Sequence, residues 1–304
     1  MKVLVPVPRQ DFASLVFTGI ALSNHPAWST TTNYVVGDQV YRGESEYIAV
    51  APSLNVDPAV VSESPVWFRT GAINRLKVFD ETIYDQAVGD PAASYTAFRI
   101  ESPTTITSVA VFNVEAREVQ AILTDKASGS QVASYTISLV QDDFVTSWAD
   151  YFYEPPTAKN EALFDNLLVY PGTYLHVRFY ASGTAAKIGQ IVVGRSYPIG
   201  DLNEDSTIGI QDYSRKERDE WGNPIIVERP WSQRAEYDLS IPSRNVRQIQ
   251  NMLSKVRARP AVYFDDDDPD NMYGTTVYGY YQDFSVNLKV GDISHMTLEV
   301  EGLV

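Results

Sequence analysis

The chain has 304 residues, which allows two or three domains, and 44% of them are hydrophobic, which indicates folded rather than disordered material. Its formal net charge of −15 argues against nucleic acid and anionic membranes as partners, because both bind basic patches. No apolar run approaches the roughly 20 residues of a membrane-spanning helix. Since the sequence contains no cysteine, it has neither disulfides nor thiolate metal sites.

The N-terminal segment, residues 1–22, contains two strand-like runs, 3–7 and 13–22. We expect both strands to pair with the sheet of the C-terminal domain. The opening sequence MKVLVPVPRQDF lacks the long apolar core of a signal peptide, which predicts synthesis in a cytosol without export.

Residues 23–73 are predicted to form a small β-domain. Two short strand-like runs, 40–41 and 47–50, flank Gly43, which permits a tight reversal. About 50 residues bury little core, so aromatic side chains must supply most of the packing. The fixed points of the pattern are Trp28, Tyr34, Gly37, Asp38, Tyr41, Gly43, Tyr47 and Trp67. The pattern W…Y…GD-x-V-Y-x-G…Y-x-A…P-x-W resembles the small chitin-binding-type carbohydrate-binding modules of secreted glycosidases and phage tail proteins.

This resemblance implies that the small domain stacks an aromatic face on a sugar ring. The candidate carbohydrate-binding residues are Trp28, Tyr41, Tyr47 and Trp67. In the family, exposed aromatics commonly follow the Y-x-A element, but residues 51–54 of this chain contain none. Trp28 and Trp67 also match positions that are expected in the core. The alternative is therefore a module kept as a spacer or as a protein-docking knob.

Residues 74–198 carry a series of strand-like segments separated by turn clusters such as SPTT, KASGS and YPGT, which is typical of a β-sandwich. In YLHVRFY, the side chains of Leu175, Val177 and Phe179 share one face, as in a half-buried strand. No stretch within 95–195 has a helical period. We therefore predict an all-β sandwich of jelly-roll-like or galactose-binding-like type.

Residues 199–304 combine strands with the clearest helix of the chain, predicted over 243–257. Ser243 is predicted to cap its N-terminus, and Pro260 ends it. Its apolar stripe consists of Val246, Ile249, Met252, Leu253 and Val256. Because strand-like segments lie on both sides, we expect this helix to pack on a mostly antiparallel sheet. The predicted fold class of the whole chain is mostly β, with several domains.

The order of segments within 188–304 resembles the tail-tip proteins of long-tailed bacteriophages. It runs through IGIQDYS, EWGNPIIVERPW, the helix and TVYGYYQDF to the ending LEVEGL. This resemblance implies a distal-tail or tail-hub structural protein, built on a β-rich fold related to tail-tube subunits and assembled in a ring. The partners it implies are other copies of the chain and the tube, hub and fibre proteins of the tail. Through the small domain, host-surface polysaccharide would be a further partner.

The implied location is the tip of the virion tail, after synthesis in the host cytoplasm. The runner-up hypothesis is a secreted or surface-bound, non-catalytic carbohydrate-binding protein. A signal peptide and disulfides would favour this second hypothesis.

The segment SRKERDEWGNPIIVERPWSQRAEY predicts a long, charged hairpin with large apolar side chains. We expect Trp221, Ile225, Ile226 and Trp231 to form an oligomer interface, because exposed apolar side chains of this size usually cover a partner. The sheet edge near residues 276–284 is expected to be the opposing face of the ring contact. The alternative is that the hairpin folds back onto its own sheet.

Two acidic segments are weighed as calcium sites. Residues 201–212 place oxygen ligands as a calcium loop does, but Ser206 replaces the glycine of its sharp turn, so a solvated turn is the default. Residues 265–270 contain five aspartates, for which a solvated hairpin loop is the favoured alternative. The histidines show no metal-binding spacing, and nucleophile motifs are absent from the sequence. We therefore predict no metal, no cofactor and no enzymatic activity.

Overall fold

The computed structural model describes residues 1–61, 65–141, 148, 157–181, 183–266, 274–287 and 291–303. The chain is mostly β, as predicted, with a small β-domain, a β-sandwich and a C-terminal β-domain that carries a packed helix. The strands before residue 90 are β1 (Lys2–Pro6), β2 (Ser14–Thr18), β3 (Asn33–Tyr34), β4 (Gln39–Arg42), β5 (Ser45–Ala49), β6 (Ser53–Leu54), β7 (Trp67–Ala72) and β8 (Ala87–Val88).

The remaining elements follow in chain order. The strands of the middle region are β9 (Thr96–Glu101), β10 (Ser108–Glu115), β11 (Glu118–Asp125), β12 (Gln131–Ser138), β13 (Val140–Gln141), β14 (Thr157–Ala158), β15 (Ala162–Phe164), β16 (Thr173–Tyr180) and β17 (Lys187–Pro198). The C-terminal elements are β18 (Asp201–Leu202), β19 (Thr207–Asp212), β20 (Arg215–Arg218), β21 (Pro224–Val227), β22 (Trp231–Pro242), α1 (Val246–Val256), β23 (Ala261–Phe264), β24 (Val277–Asn287) and β25 (Ile293–Gly302).

The largest sheet has 11 strands and curls back on itself. Its order is β15-β10-β17-β1-β23-β24-β25-β22-β18, with β8 beside β17 and β19 beside β22. Only residues 199–200 separate β17 from β18, yet β18 pairs with β22 at the far end of this order. The N-terminal ammonium lies at this junction, where it donates a 2.7 Å hydrogen bond to the carbonyl oxygen of Gly200. The C-terminal part of the sheet therefore has a barrel-like shape.

The sandwich is formed by a second sheet that packs on β10 and β17 of the first. Its five strands have the order β12-β11-β16-β9-β2. The predicted alternation in β16 is confirmed, because Leu175, Val177 and Phe179 are fully buried between the sheets, while their neighbours are only partly buried. Val111 of β10 and Ile188 of β17 belong to the same core. Antiparallel pairing with one buried face accounts for this pattern.

Helix α1 covers the inner face of the barrel-like part. Its predicted apolar stripe is confirmed, since Ile249, Leu253 and Val256 are buried and the two other stripe residues are partly buried in the same core. The predicted cap is wrong. Ser243 lies in a short 3-10 turn before the helix, and its hydroxyl group donates to the carbonyl oxygen of Gly291 at 2.9 Å instead of capping α1.

Residues 1–22 are divided between the two sheets. Strand β1 pairs with β23 of the C-terminal domain and with β17, as expected for this segment. Strand β2 instead pairs with β9 in the second sheet, so the expectation for it is wrong. The physical reason is the sandwich core, where Phe17 of β2 packs edge-on against Phe98 at a centroid distance of 5.9 Å. A local strand pattern does not specify its partner strand.

Ion pairs fix the N-terminus at the junction of the two domains. The Lys2 ammonium lies 2.8 Å from Asp165 of the sandwich and 3.1 Å from Asp266 of the C-terminal domain. Burial lowers the pKa of Lys2, but hydrogen bonds from its ammonium to these two carboxylates outweigh it and raise the pKa overall. Asp265 lies 3.5 Å from the N-terminal ammonium. The first two aspartates of the acidic cluster therefore hold the chain end, while residues 267–270 lie outside the described residues.

Gly194 should be required where β17 passes from the sandwich to the barrel-like part. A Cβ atom at this position would lie 2.0 Å from the carbonyl oxygen of Val5, so Gly194→Ala must displace backbone. We expect the variant to lose about 1–3 kcal/mol of unfolding free energy, measured by urea unfolding. Gly209→Ala is the matched control, because a Cβ there has open space. Equal stability of the two variants would contradict this account of the junction.

Candidate functional site

The small domain is built from two sheets of short strands around an aromatic core. Strands β4, β5 and β7 form one antiparallel sheet, and β3 pairs with β6 in the other. The buried side chains of Tyr34, Val40, Ala49 and Trp67 form the core. Because this core is so small, its aromatic rings carry a large share of the buried area.

Trp67 is a core residue. Only 7% of its surface is exposed, and its indole N–H donates a 3.0 Å hydrogen bond to the carbonyl oxygen of Val56. The ring of Tyr34 packs edge-on against it, with centroids 5.0 Å apart. A ring enclosed in this way has no free face for a ligand.

Trp28 is half-buried at the margin of the same core. The guanidinium group of Arg42 lies over its ring, 5.0 Å from the centroid, as in a cation–π contact. Its indole nitrogen is buried and has no hydrogen-bond partner among the described residues. A sugar that stacked on this ring would have to displace Arg42.

Tyr41 and Tyr47 lie on opposite faces of the three-stranded sheet. The register pairs Tyr41 with Glu46, and Tyr47 with Val40, so the two rings alternate. Tyr47 packs against the aromatic core, whereas Tyr41 packs in a separate cluster at the boundary with the sandwich. The four candidate residues therefore do not share one flat surface, and their carbohydrate-binding role stays a prediction.

The sequence analysis missed Phe68, whose side chain is 64% exposed on the small domain. Its register partner is Ile48, which in turn pairs with Gln39, so the three side chains share the outer face of the sheet. The signal was available, because strand alternation places Phe68 outward once Trp67 is buried. Phe68 is thus an exposed aromatic ring on the small domain outside the predicted set.

The predicted hairpin is formed by β20 and β21, and every residue of both strands is exposed. Trp221 at its tip is 84% exposed and Ile226 is 66% exposed. Ile225 is also exposed, so these side chains do not fold back onto their own sheet. Trp231 lies apart, at the start of β22, and it lines a cleft beside Tyr278.

Hydrogen bonds fix the tip of this hairpin. The Asp219 carboxylate accepts from the backbone N–H groups of Trp221 and Asn223 at 2.9 and 2.7 Å, and from the Asn223 amide at 2.8 Å. The hydrogen bond from the Asn223 side chain is the main cause that lowers the pKa of Asp219. A carboxylate held in this way preorganises the turn.

The expected opposing face of the ring contact, near residues 276–284, lies mostly on strand β24. Strand β24 pairs with β23 only at residues 277–279 and with β25 at residues 279–287, so residues 280–284 have a single partner strand within the described part of the chain. The exposed edge next to the hairpin is β19, whose six residues are all exposed and pair only with β22 within the described residues. The role of residues 276–284 in a ring contact stays a prediction.

The calcium hypotheses receive no support from the described residues, which contain no group of three or more His, Cys, Asp or Glu side chains arranged to hold a metal ion. Residues 201–212 form β18, a turn and β19. The Lys216 ammonium donates a 2.6 Å hydrogen bond to the Asp212 carboxylate, and this bond is the main cause of the lowered pKa of Asp212.

No helix in the described part of the chain has the length and apolar character needed to cross a membrane.

The sequence matches no protein-family model and no curated protein. Among solved structures, the fold is similar to a mutant of chitosan-binding module 1 from a chitosanase/glucanase of Paenibacillus sp. IK-5. The sequence identity is 8% and the TM-score is 0.27, with 40% of this chain and 83% of that chain covered. A likeness of this size says nothing about a ligand.

The buried and exposed aromatics of β7 should respond differently to truncation. Trp67→Ala removes a core ring of the small domain, so we expect a loss of about 3–5 kcal/mol in its local stability. Phe68→Ala removes an exposed ring and should cost less than about 1 kcal/mol. Hydrogen exchange of the β4–β5 amides in the full chain measures both effects. Equal protection in the two variants would show that Trp67 is not a core residue.

Proposed function

We propose that the chain is a non-enzymatic structural component of a bacteriophage tail tip, forming part of the distal tail ring. The observation that carries the proposal is the projecting hairpin, whose apolar residues Trp221, Ile225 and Ile226 are exposed on a β-domain with one packed helix. Apolar side chains grouped in this way usually mark an interface. The resemblance of residues 188–304 to tail-tip proteins supplies the kind of assembly.

A ring requires two different faces of each protomer to meet. The hairpin tip is one face, and it combines the acidic Glu220 with the indole of Trp221. The other face is a groove of about 520 Å³ between α1 and strands β1 and β17. Its apolar lining residues are Val5, Tyr197 and Met252, and its basic lining residues are Arg244, Arg247 and Lys255.

The charge of this groove differs from that of the chain. Residues 243–259 contain five basic and no acidic side chains, whereas the net charge of the chain is −15. Their basic groups form no ion pair with any described residue. An acidic tip with an aromatic ring complements a groove with an apolar floor and a basic rim. We therefore assign the groove to the hairpin tip of a neighbouring copy.

The small domain and the sandwich would be displayed on this ring. The small domain then contacts host-surface glycans, and several copies on one ring bind together more tightly than a single weak site does. The second candidate function is a non-catalytic carbohydrate-binding protein, and the exposed ring of Phe68 is the observation that favours it.

The assignment to a tail tip has a direct test. We expect the gene to lie among tail genes, next to one for a tape-measure protein. An antibody against the chain should label the distal end of tails in negative-stain electron microscopy. Neighbouring genes for polysaccharide degradation, or purified particles that lack the chain, would contradict the proposal.

The ring contact should depend on the hairpin. We expect Ile225→Asp with Ile226→Asp to abolish higher-order assembly, because two buried carboxylates at the contact would be unpaired. Mass photometry of the purified full chain measures the loss of rings. Val35→Asp with Val36→Asp is the matched control, since these adjacent valines are equally exposed on the small domain.

Charge reversal tests the opposing groove. Glu220→Arg or Arg247→Glu alone should weaken assembly, and the two together should restore it if these residues meet across the contact. Normal assembly of the isoleucine double variant would contradict the hairpin contact itself. Failure of the charge-reversed pair to recover would exclude the groove while leaving the hairpin in place.

A further inference from the structure

A well-formed cleft lies between the sandwich and the C-terminal domain. Its volume is about 610 Å³, within the range of small-molecule sites. The sandwich contributes Phe112 and Asn160, the loop before β8 contributes Tyr84, and the C-terminal domain contributes Trp231 and Tyr278. None of these residues belongs to the small domain of residues 23–73.

Aromatic rings form both the floor and the walls of this cleft. Phe112 and Tyr278 are stacked at its floor, with centroids 5.4 Å apart and planes inclined by 12°. Tyr84 is 77% exposed and Trp231 is 57% exposed, so each presents ring surface to a ligand. Exposed rings beside a buried aromatic floor suit a ligand with flat apolar faces.

The backbone beside Tyr84 is fixed, although its ring is exposed. The side-chain amide of Asn113 donates to the carbonyl oxygen of Ile83 at 2.8 Å, and that of Gln86 donates to the carbonyl oxygen of Asn113 at 2.9 Å. Gly189 of β17 lies against the same loop, since a Cβ there would approach the carbonyl oxygen of Ile83 to 2.5 Å. A loop held in this way loses little backbone entropy when a ligand binds.

Trp231 is fixed on the opposite wall by sheet pairing. It is the first residue of β22 and pairs with Asp212 of β19. Two residues further on, the Gln233 amide donates a 2.6 Å hydrogen bond to the carbonyl oxygen of Gly274. Both rings are therefore carried by backbone that is ordered without a ligand, which is the mark of a preformed site.

Polar groups also line the cleft. Asn160, Glu228 and Arg229 line the cleft and are exposed, and their side chains have no partner among the described residues. Amide, carboxylate and guanidinium groups are planar, and each can form hydrogen bonds to two neighbouring hydroxyl groups: the carboxylate accepts, the guanidinium donates and the amide does both. Together with the rings, they fit a ligand that is apolar on its faces and hydroxylated at its edges.

We propose that this cleft binds a neutral oligosaccharide, with Tyr84 and Trp231 stacking on pyranose rings and Asn160, Glu228 and Arg229 bonding the hydroxyl groups. A neutral ligand is favoured over an anionic one because the chain carries a net charge of −15 and Glu228 faces the cleft. This site goes beyond the proposed tail-tip function, since it requires neither the small domain nor a ring.

Isothermal titration of the full chain with chitotetraose, cellotetraose and maltotetraose tests the proposal. Neutral probes are used because a cationic glucosamine oligomer would bind any chain of this charge. We expect saturable binding of at least one probe, weakened at least about tenfold by Tyr84→Ala and by Trp231→Ala. Tyr84 is so exposed that its loss leaves the fold intact, which circular dichroism verifies.

The matched controls are exposed aromatics outside the cleft. Tyr170→Ala removes an exposed ring of the same type as Tyr84 elsewhere on the surface and should leave the affinity within about twofold. Phe68→Ala should do the same. No saturable binding of any probe would overturn the proposal. Binding that is lost in Phe68→Ala but unaffected by both cleft variants would assign the sugar to the small domain instead.

Discussion

The rest of the structure depends on β17, a strand that two domains share. Its residues 187–194 pair with β10 inside the sandwich, and its residues 194–198 pair with β1 at the barrel-like part. One set of backbone hydrogen bonds joins β17 to β10 and a second set joins it to β1. The sandwich and the C-terminal domain are therefore connected by a continuous sheet rather than by a flexible linker. Gly194 is the residue at which the two sets meet, and its missing side chain lets β1 approach. The ion pairs of Lys2 with Asp165 and Asp266 cross the same junction.

This shared strand also explains where the cleft lies. Gly189 of β17 supports the loop that carries Tyr84, while Phe112 of the adjacent β10 stacks on Tyr278 of β24. The two walls of the cleft therefore belong to different domains but rest on one continuous sheet. If the two domains moved freely, a ligand in the cleft would have to order them, which would weaken its binding. The continuous sheet already fixes the domains and removes this entropic cost.

Local patterns in the sequence predicted local structure well. The alternation of Leu175, Val177 and Phe179 and the stripe of α1 are both confirmed, because each depends only on which side of one element is buried. Pairing between distant strands was not predictable in this way. The partner of β2 is set by contacts between distant parts of the chain, which no period of 2 or 3.6 residues encodes.

The same limit applied to the candidate sites. The aromatic pattern of the small domain matched Trp67 to a position expected in the core, and its ring is enclosed, but the pattern passed over Phe68 on the outer face. For the hairpin, the sequence correctly indicated large apolar side chains beside charges. It gave no signal that Trp231 lines a cleft with Tyr84, since 146 intervening residues separate them in the chain. Sites formed by such distant residues appear only when the sheet order is known.

The hairpin of β20 and β21 has no core of its own, and this bears on how it is stabilised. A two-stranded hairpin is marginal in water because it buries little apolar surface. Here Asp219 orders the tip through three hydrogen bonds, and the Lys216–Asp212 pair ties the stem to β19. These interactions are exposed to solvent, which screens them, so they stabilise the hairpin only weakly. The stem is therefore only weakly held while Trp221, Ile225 and Ile226 are exposed to water, and a surface that buried them would stabilise the hairpin and the contact in the same step.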